Sequence, residues 1–199
     1  VKYLDKNFLD IGTYSDLKKS SSFLKKIELK PAAFLDRDGV LNYDYGYVHK
    51  KNNFKFKKNI FKAIKLLNDN NYYVIIISNQ SGIGRGYYNK SDVDSLHCWI
   101  NKKLNNYGAY IDKFYFAPYY KFSKNKKYLR DRKDRKPNIG MFLRALNDFN
   151  IIKKGSFYIG DKNVDRIAAK NFKIKYLNVD NNSDLYKLIF SLLKNDLKK

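Results

Sequence analysis

Four short segments of this chain carry side chains able to do chemistry together: Asp36-Arg37-Asp38-Gly39, Ser78-Asn79-Gln80-Ser81-Gly82, Lys136, and Gly160-Asp161-Lys162 with Asp165 beyond it. Asp36 and Asp38 are two apart at the end of an apolar run, and side chains along an extended chain alternate with period 2, so both carboxylates can face one side. Two further carboxylates, Asp161 and Asp165, would complete a hard oxygen site suited to Mg²⁺ held partly by a substrate phosphate. Gly39 would let the backbone turn sharply beside that phosphate. Singly these signals are ordinary. An isolated Asp-x-Asp is most often a pair of solvated loop carboxylates, Ser78 alone reads as a strand-ending turn, and Lys136 alone as a solvated loop charge.

What sets them apart is where they fall. Ala32 to Leu35 is a short apolar run ending at Asp36, and Tyr73 to Ser78 is a β-branched run of strand length. Between them Ile60, Phe61, Ile64 and Leu67 recur at helical spacing over Asn59 to Leu67. Ser91 with Asp94 three residues on has the form of a capping box, and Leu96, Trp99, Ile100 and Leu104 supply the stripe of a second helix. Ile111 to Ala117 reads as a third strand. After a lysine-rich loop from Lys121 to Lys136, Pro137 is placed to open a helix reaching Phe149. Phe157 to Gly160, Val164 to Lys170, Ile174 to Val179 and Leu185 to Leu193 read as strand, helix, strand and helix. This alternation predicts a doubly wound α/β fold, a Rossmann-like parallel sheet with helices on both faces. In such sheets ligands bind at the carboxyl ends of the strands, and each acidic or hydroxyl group falls at the end of a predicted core strand.

Composition narrows the classes. With 199 residues one domain is the default. A hydrophobic fraction of 44% with 18 Tyr and 14 Phe can build a packed interior, which excludes general disorder. No apolar run approaches the ~20 residues that span a bilayer, and no leader pattern is evident, so the expected location is cytoplasmic, with no membrane partner. The single cysteine, Cys98, excludes an internal disulfide and a thiolate zinc site, and packing is its expected role. The net charge of +22 would ordinarily suggest nucleic acid. Here the excess is nearly all lysine, spread along the chain and accompanied by abundant Asn, Tyr, Phe and Ile, the residues of A/T-rich codons. A nucleic-acid footprint should concentrate on one face, so no nucleic-acid partner is expected.

The phrases FLDRDGVLN, ISNQSGIGRG, RKP and YIGDK resemble the haloacid dehalogenase (HAD) superfamily of phosphatases. The phrase DYGYVHKKNNFKF is similar to the branch acting on heptose 1,7-bisphosphate, with histidinol-phosphate phosphatases as near relatives. The match covers residues 32 to 180. The resemblance implies a HAD-like fold without a large cap domain and Mg²⁺-dependent removal of the 7-phosphate of a heptose 1,7-bisphosphate. Histidinol phosphate, or another small phosphorylated metabolite, is the alternative substrate. It implies Asp36 as nucleophile, Asp38 as general acid and base, Ser78 as the hydroxyl that orients phosphoryl oxygens, and Lys136 as the neutralising cation. Asp36, Asp38, Asp161 and Asp165 are implied at the metal, and Asn79, Gln80, Arg85 and Arg135 at the substrate. Many members of this branch hold a structural zinc before the RKP motif. The matching positions here are Ala117, Tyr119, Arg132 and Asp134, none of them a thiolate or imidazole, so no zinc is expected.

Residues 1 to 30 are expected to lie outside the phosphatase domain, which is assigned to 31 to 199. Within them Phe8-Leu9-Asp10-Ile11-Gly12-Thr13 resembles the carboxyl end of sugar-1-phosphate nucleotidyltransferases, implying a fusion to, or association with, such an enzyme. An ordinary capped helix from Ser15 to Leu24 is the alternative.

Overall fold

The computed structural model describes residues 13–15, 29–129 and 133–196. The nucleotidyltransferase-like phrase therefore lies outside the described residues up to Thr13, and so does most of the alternative helix. Strands β1 (Lys30–Leu35), β2 (Tyr73–Asn79), β3 (Lys113–Ala117), β4 (Ile151–Gly160) and β5 (Lys175–Asn178) form one sheet. Its order is β3-β2-β1-β4-β5, and every pair is parallel. The helices are α1 (Ile60–Asp69), α2 (Ser81–Arg85), α3 (Lys90–Asn105), α4 (Gly140–Asp148), α5 (Asn163–Phe172) and α6 (Leu185–Asp196). None of them is long and apolar enough to cross a membrane.

Strand periodicity divides the interior into two layers. On one face Ala33 and Leu35 of β1, Val74 and Ile76 of β2, and Phe157 and Ile159 of β4 pack against Ile60, Ile64 and Leu67 of α1, Ile100 of α3 and Ile189 of α6. On the other, Ala32, Phe34, Ile75, Ile77 and Tyr158 pack against Met141 and Phe142 of α4 and Ala168 and Phe172 of α5. A strand buried on both faces needs the near-continuous apolar run that β1 and β2 possess. Each large side chain so buried contributes about 1.5–3 kcal/mol, and together they fix the strand ends as a rigid rim.

Several boundaries differ from the sequence expectation. The capping box of α3 belongs to Asn89 and Asp92, not Ser91 and Asp94: Asn89 Oδ1 accepts from Asp92 N at 3.0 Å and Asp92 Oδ2 accepts from Asn89 N at 2.8 Å. Pro137 does not open α4. It follows a cis peptide bond after Lys136, in a turn, and the helix starts at Gly140. Gly140 lies directly on the backbone of Lys133, so the helix begins where the returning loop needs a residue without a side chain. Cys98 is exposed, not packed. Among the described residues the two long connections, from β1 to α1 and from β3 to α4, hold the 3₁₀ turns Lys51–Asn53 and Lys126–Tyr128 and, in the first, the isolated bridges Asp38↔Asn42 and Asn42↔Phe56, and no cap domain.

Candidate active site

The sheet order makes β1 the switch point, because the chain runs from β1 outward to β3 on one side and then returns to β4 on the other. Ligand crevices form outside the carboxyl end of such a strand, and Asp36 is the first residue past β1. Its carboxylate is buried, accepting from the Arg37 amide at 2.7 Å and from Lys136 Nζ at 2.9 Å. Lys136 reaches it from the loop before α4. Asn79, the last residue of β2, holds that loop in place, donating to the Lys136 carbonyl at 3.1 Å and accepting from its amide at 3.0 Å.

Asp161 and Asp165 enter from the end of β4 and the first turn of α5. Gly160 and Gly39 make room for them. A β-carbon at Gly160 would run into Asp165, and one at Gly39, whose φ is +89°, would overlap the Asp161 carboxylate. Asp165 Oδ1 accepts from Lys136 Nζ at 2.7 Å and from the Tyr158 hydroxyl at 2.8 Å, while its Oδ2 accepts from the Lys162 amide at 3.0 Å. Asp161 Oδ1 is buried without a hydrogen-bond partner.

Asp36, Asp161 and Asp165 each offer a carboxylate oxygen, all within 4.8 Å of one another. Burial pushes the Asp36 carboxyl up to about 7, with Asp165 and Asp38 adding to the rise and Lys136 opposing it. Asp161 is raised too, chiefly by burial, with Asp165 adding. Lys136 shows the converse: burial alone would lower it, but Asp36 and Asp165 outweigh burial and hold the ammonium above its ordinary range. The cluster thus carries more negative charge than one lysine offsets, and one carboxylate oxygen lacks a partner. Those features fit a small divalent cation with oxygen ligands.

The side chain of Asp38, expected beside the metal, is not in this group. It accepts from Arg37 Nη2 at 3.0 and 2.8 Å, Arg37 Nε at 3.2 Å, Asn42 Nδ2 at 3.0 Å and Gln80 Nε2 at 2.9 Å. β1 ends at Leu35 and the chain then bends into the turn at Gly39, so both aspartates lie past the strand and its alternation does not align them. Five donor contacts thus converge on its two oxygens and fix the direction in which the side chain points. Gln80 Nε2 also donates to Ser78 Oγ at 2.8 Å, and Tyr88 orients the amide by donating to Gln80 Oε1 at 2.8 Å.

These groups open on a cleft of about 300 Å³ lined by Asp36, Asp38, Ser78, Asn79, Gln80, Arg135 and Lys136, with Asp44, Tyr47 and Lys162 at its mouth. Asp44 and Lys162 pair across that mouth at 2.8 Å. Arg85 is not on the wall. Its guanidinium lies 3.7 Å from the Tyr120 ring centre and 5.6 Å from that of Tyr47, so it joins two loops instead of facing the cleft. Cation–π stacking holds it there, and Gly84 lets α2 back directly onto Pro118 and Tyr120. Of the four zinc-loop positions, Ala117, Tyr119 and Asp134 are described and Arg132 is not.

Tyr158, Asp44 and Lys162 lie in phrases quoted above and Tyr88 in none of them, and the sequence assigned a role to none of the four. Tyr158 lies inside an apolar run that reads as core, and its hydroxyl gives no signal of its own.

A parallel sheet bearing an aspartate, a hydroxyl, a buried lysine and two further carboxylates on one rim defines a phosphatase of the HAD type. The family model described as polynucleotide kinase 3 phosphatase matches residues 33–186. The D-glycero-beta-D-manno-heptose-1,7-bisphosphate 7-phosphatase of Haemophilus ducreyi is 40% identical over 147 residues, 73% of this chain and 80% of that protein. Its Rhodopseudomonas palustris counterpart is 42% identical over 141 residues, covering 71% and 78%. The chain belongs to the phosphatase family that this model and these 7-phosphatases define. Among solved structures, a Mesorhizobium loti protein described as a HAD-like phosphatase superposes with a TM-score of 0.73 at 26% identity, over 83% of this chain and 87% of that one. The D,D-heptose 1,7-bisphosphate phosphatase of B. bronchiseptica, solved with magnesium and phosphate, shares the fold with a TM-score of 0.69 at 21% identity, over 83% and 99%.

Proposed function

We propose that this phosphatase removes the 7-phosphate of a heptose 1,7-bisphosphate in two steps through an aspartyl-phosphate on Asp36, with Mg²⁺ as cofactor. One observation carries the reading: in a chain 40% identical to named 7-phosphatases, a buried Asp36 faces the same cleft as Ser78, Lys136 and Asp38.

In the first step an Asp36 oxygen attacks phosphorus, the bond from phosphorus to the sugar oxygen breaks, and Asp38 supplies the proton that the departing oxygen takes. In the second, water attacks the same phosphorus, the bond to Asp36 breaks, Asp38 takes the water proton, and inorganic phosphate leaves. Ser78 and the Lys136 ammonium orient the phosphoryl oxygens and offset their charge. Mg²⁺, held by Asp36, Asp161 and Asp165, would offset further charge on the phosphoryl group. Asn79, Gln80 and Arg135 line the same cleft and would contact the substrate there.

Phosphate release across heptose 1,7-bisphosphate, histidinol phosphate, fructose bisphosphate and a 3′-phosphorylated oligonucleotide, with and without Mg²⁺ after chelation, tests this reading. The highest kcat/KM is expected for the heptose bisphosphate with Mg²⁺. A higher value for any other substrate refutes the substrate, and full activity in chelator refutes the metal.

A further inference from the structure

The Lys136 ammonium has three N–H donors, and the structure shows an acceptor for each: Asp36 Oδ1 at 2.9 Å, Asp165 Oδ1 at 2.7 Å and the Tyr158 hydroxyl at 2.8 Å. A lysine so placed has no N–H left for a phosphoryl oxygen unless one contact is released. Chemistry selects which. Asp36 loses its negative charge as its oxygen bonds to phosphorus, so its hold on Lys136 weakens along the reaction, whereas Asp165 and Tyr158 are unchanged by it.

Tyr158 contributes a fixed direction. An ammonium cannot accept, so the phenol proton goes to Asp165 Oδ1 at 2.8 Å, the Ile77 carbonyl lying farther off at 3.4 Å, and the phenol oxygen is left to accept from Lys136. Nζ, the hydroxyl and Asp165 Oδ1 thereby form a closed triangle with sides of 2.7 to 2.8 Å. The tyrosine ring is fully buried, edge-on to Phe142 at 5.2 Å, and is not part of the cleft wall. Substrate cannot touch it.

We infer that Tyr158 is a positioning residue: with Asp165 it keeps the Lys136 ammonium in place while the third N–H passes from Asp36 to the transferring phosphoryl group. This rests on the phosphatase reading above and deepens it. The hydroxyl does not touch substrate and serves the charge transfer through Lys136, so its removal should lower kcat and leave KM nearly unchanged.

The test is Tyr158→Phe, assayed for phosphate release from heptose 1,7-bisphosphate with Mg²⁺ beside wild type, Lys136→Met and the double variant. A hydrogen bond to a charged group implies a fall in kcat of about ten- to a hundredfold, with KM within about threefold. The double variant should be no slower than Lys136→Met alone, because the hydroxyl acts only through that lysine. A folded Tyr158→Phe with unchanged kcat, a rise in KM alone, or full multiplication of the two losses would overturn the inference. If Tyr158→Phe fails to fold, the wild-type protein carries the test by nuclear magnetic resonance, with Lys136→Arg assigning the lysine ammonium protons. A protected Lys136 ammonium signal that persists with inorganic phosphate and Mg²⁺ supports the inference, and its absence overturns it. A wild type inactive on this substrate refutes the proposed substrate, and that outcome is distinct from all of these.

Discussion

Lys136→Met should separate the two charges of the lysine's task, holding the fold and serving the reaction. The ammonium is 1% exposed and lies between Asp36 and Asp165, which are 8% and 0% exposed. Without it Asp165 keeps two donors, the Tyr158 hydroxyl and the Lys162 amide, whereas Asp36 keeps only the Arg37 amide. Breaking a buried pair by removing one partner costs about 3–5 kcal/mol, and for a chain of this size each kcal/mol moves the melting point by about 2–4 °C. The expected fall is therefore roughly 6–20 °C in metal-free protein at pH 8. The sign of the pH dependence follows from Asp36, whose carboxyl in the fold is raised from 3.8 to about 7. A raised carboxyl contributes stability that is present below the ordinary value and lost as pH rises through the folded one. The variant, lacking the cation that opposes this rise, should lose little at pH 5 and most at pH 8. Urea unfolding in chelator at both pH values measures the effect, and adding Mg²⁺ should restore part of it by binding the native carboxylates. Equal midpoints for variant and wild type at pH 8, or an equally large loss at pH 5, would refute the reasoning.

Asp36→Asn should have the opposite profile: turnover below about a thousandth of wild type, since an amide is not a nucleophile toward phosphorus, with metal-free stability equal or higher at pH 8 because one crowded charge is gone. Steady-state kinetics and thermal melts in chelator check both halves. Gly39→Ala should raise the Mg²⁺ concentration for half-maximal activity by at least about tenfold, since its new methyl group displaces Asp161 and its φ of +89° disfavours any side chain. A magnesium titration unchanged from wild type would refute that. Deleting residues 1–28 should leave kcat/KM within about twofold, because among the described residues none of the cleft wall comes from before Asp36. A folded truncation that loses more than tenfold would place the tail in the site.

Legibility in the sequence followed burial. β1 and β2 are apolar on both faces, so their runs and the polar residues just past them could be read without a structure, and Asp36, Ser78, Asp161 and Asp165 fell out of that pattern. Asn79 and Gln80 also stand on the cleft, where they clamp Lys136 and Asp38 through hydrogen bonds that no motif announces. Arg85 was misplaced because a motif gives no direction for a long side chain, and two tyrosines from separate loops captured it. Asp38 diverged from Asp36 because both lie past the strand, where the chain bends into the glycine turn and the alternation no longer holds. Tyr158 and Tyr88 were hidden for a different reason: a phenol is read as apolar bulk by any periodicity argument, while its hydroxyl finds a partner only in three dimensions.

The central position of β1 bears on how the protein is made. Its amide partner at Ala32 is Ser156, 124 residues away, and its register with β4 runs from Lys30↔Ile151 to Leu35↔Ile159. A ribosome delivering this chain exposes β1, β2 and β3 first, with one edge of the central strand unpaired until β4 emerges. Contacts of such long span slow folding, and unpaired strand edges invite association between unfinished chains. Asp161 and Asp165 arrive on the same late segment. Catalytic competence thus waits on β4 and the residues just past it, and chaperone demand during synthesis should depend on how quickly the stretch from residue 118 to 160 is translated.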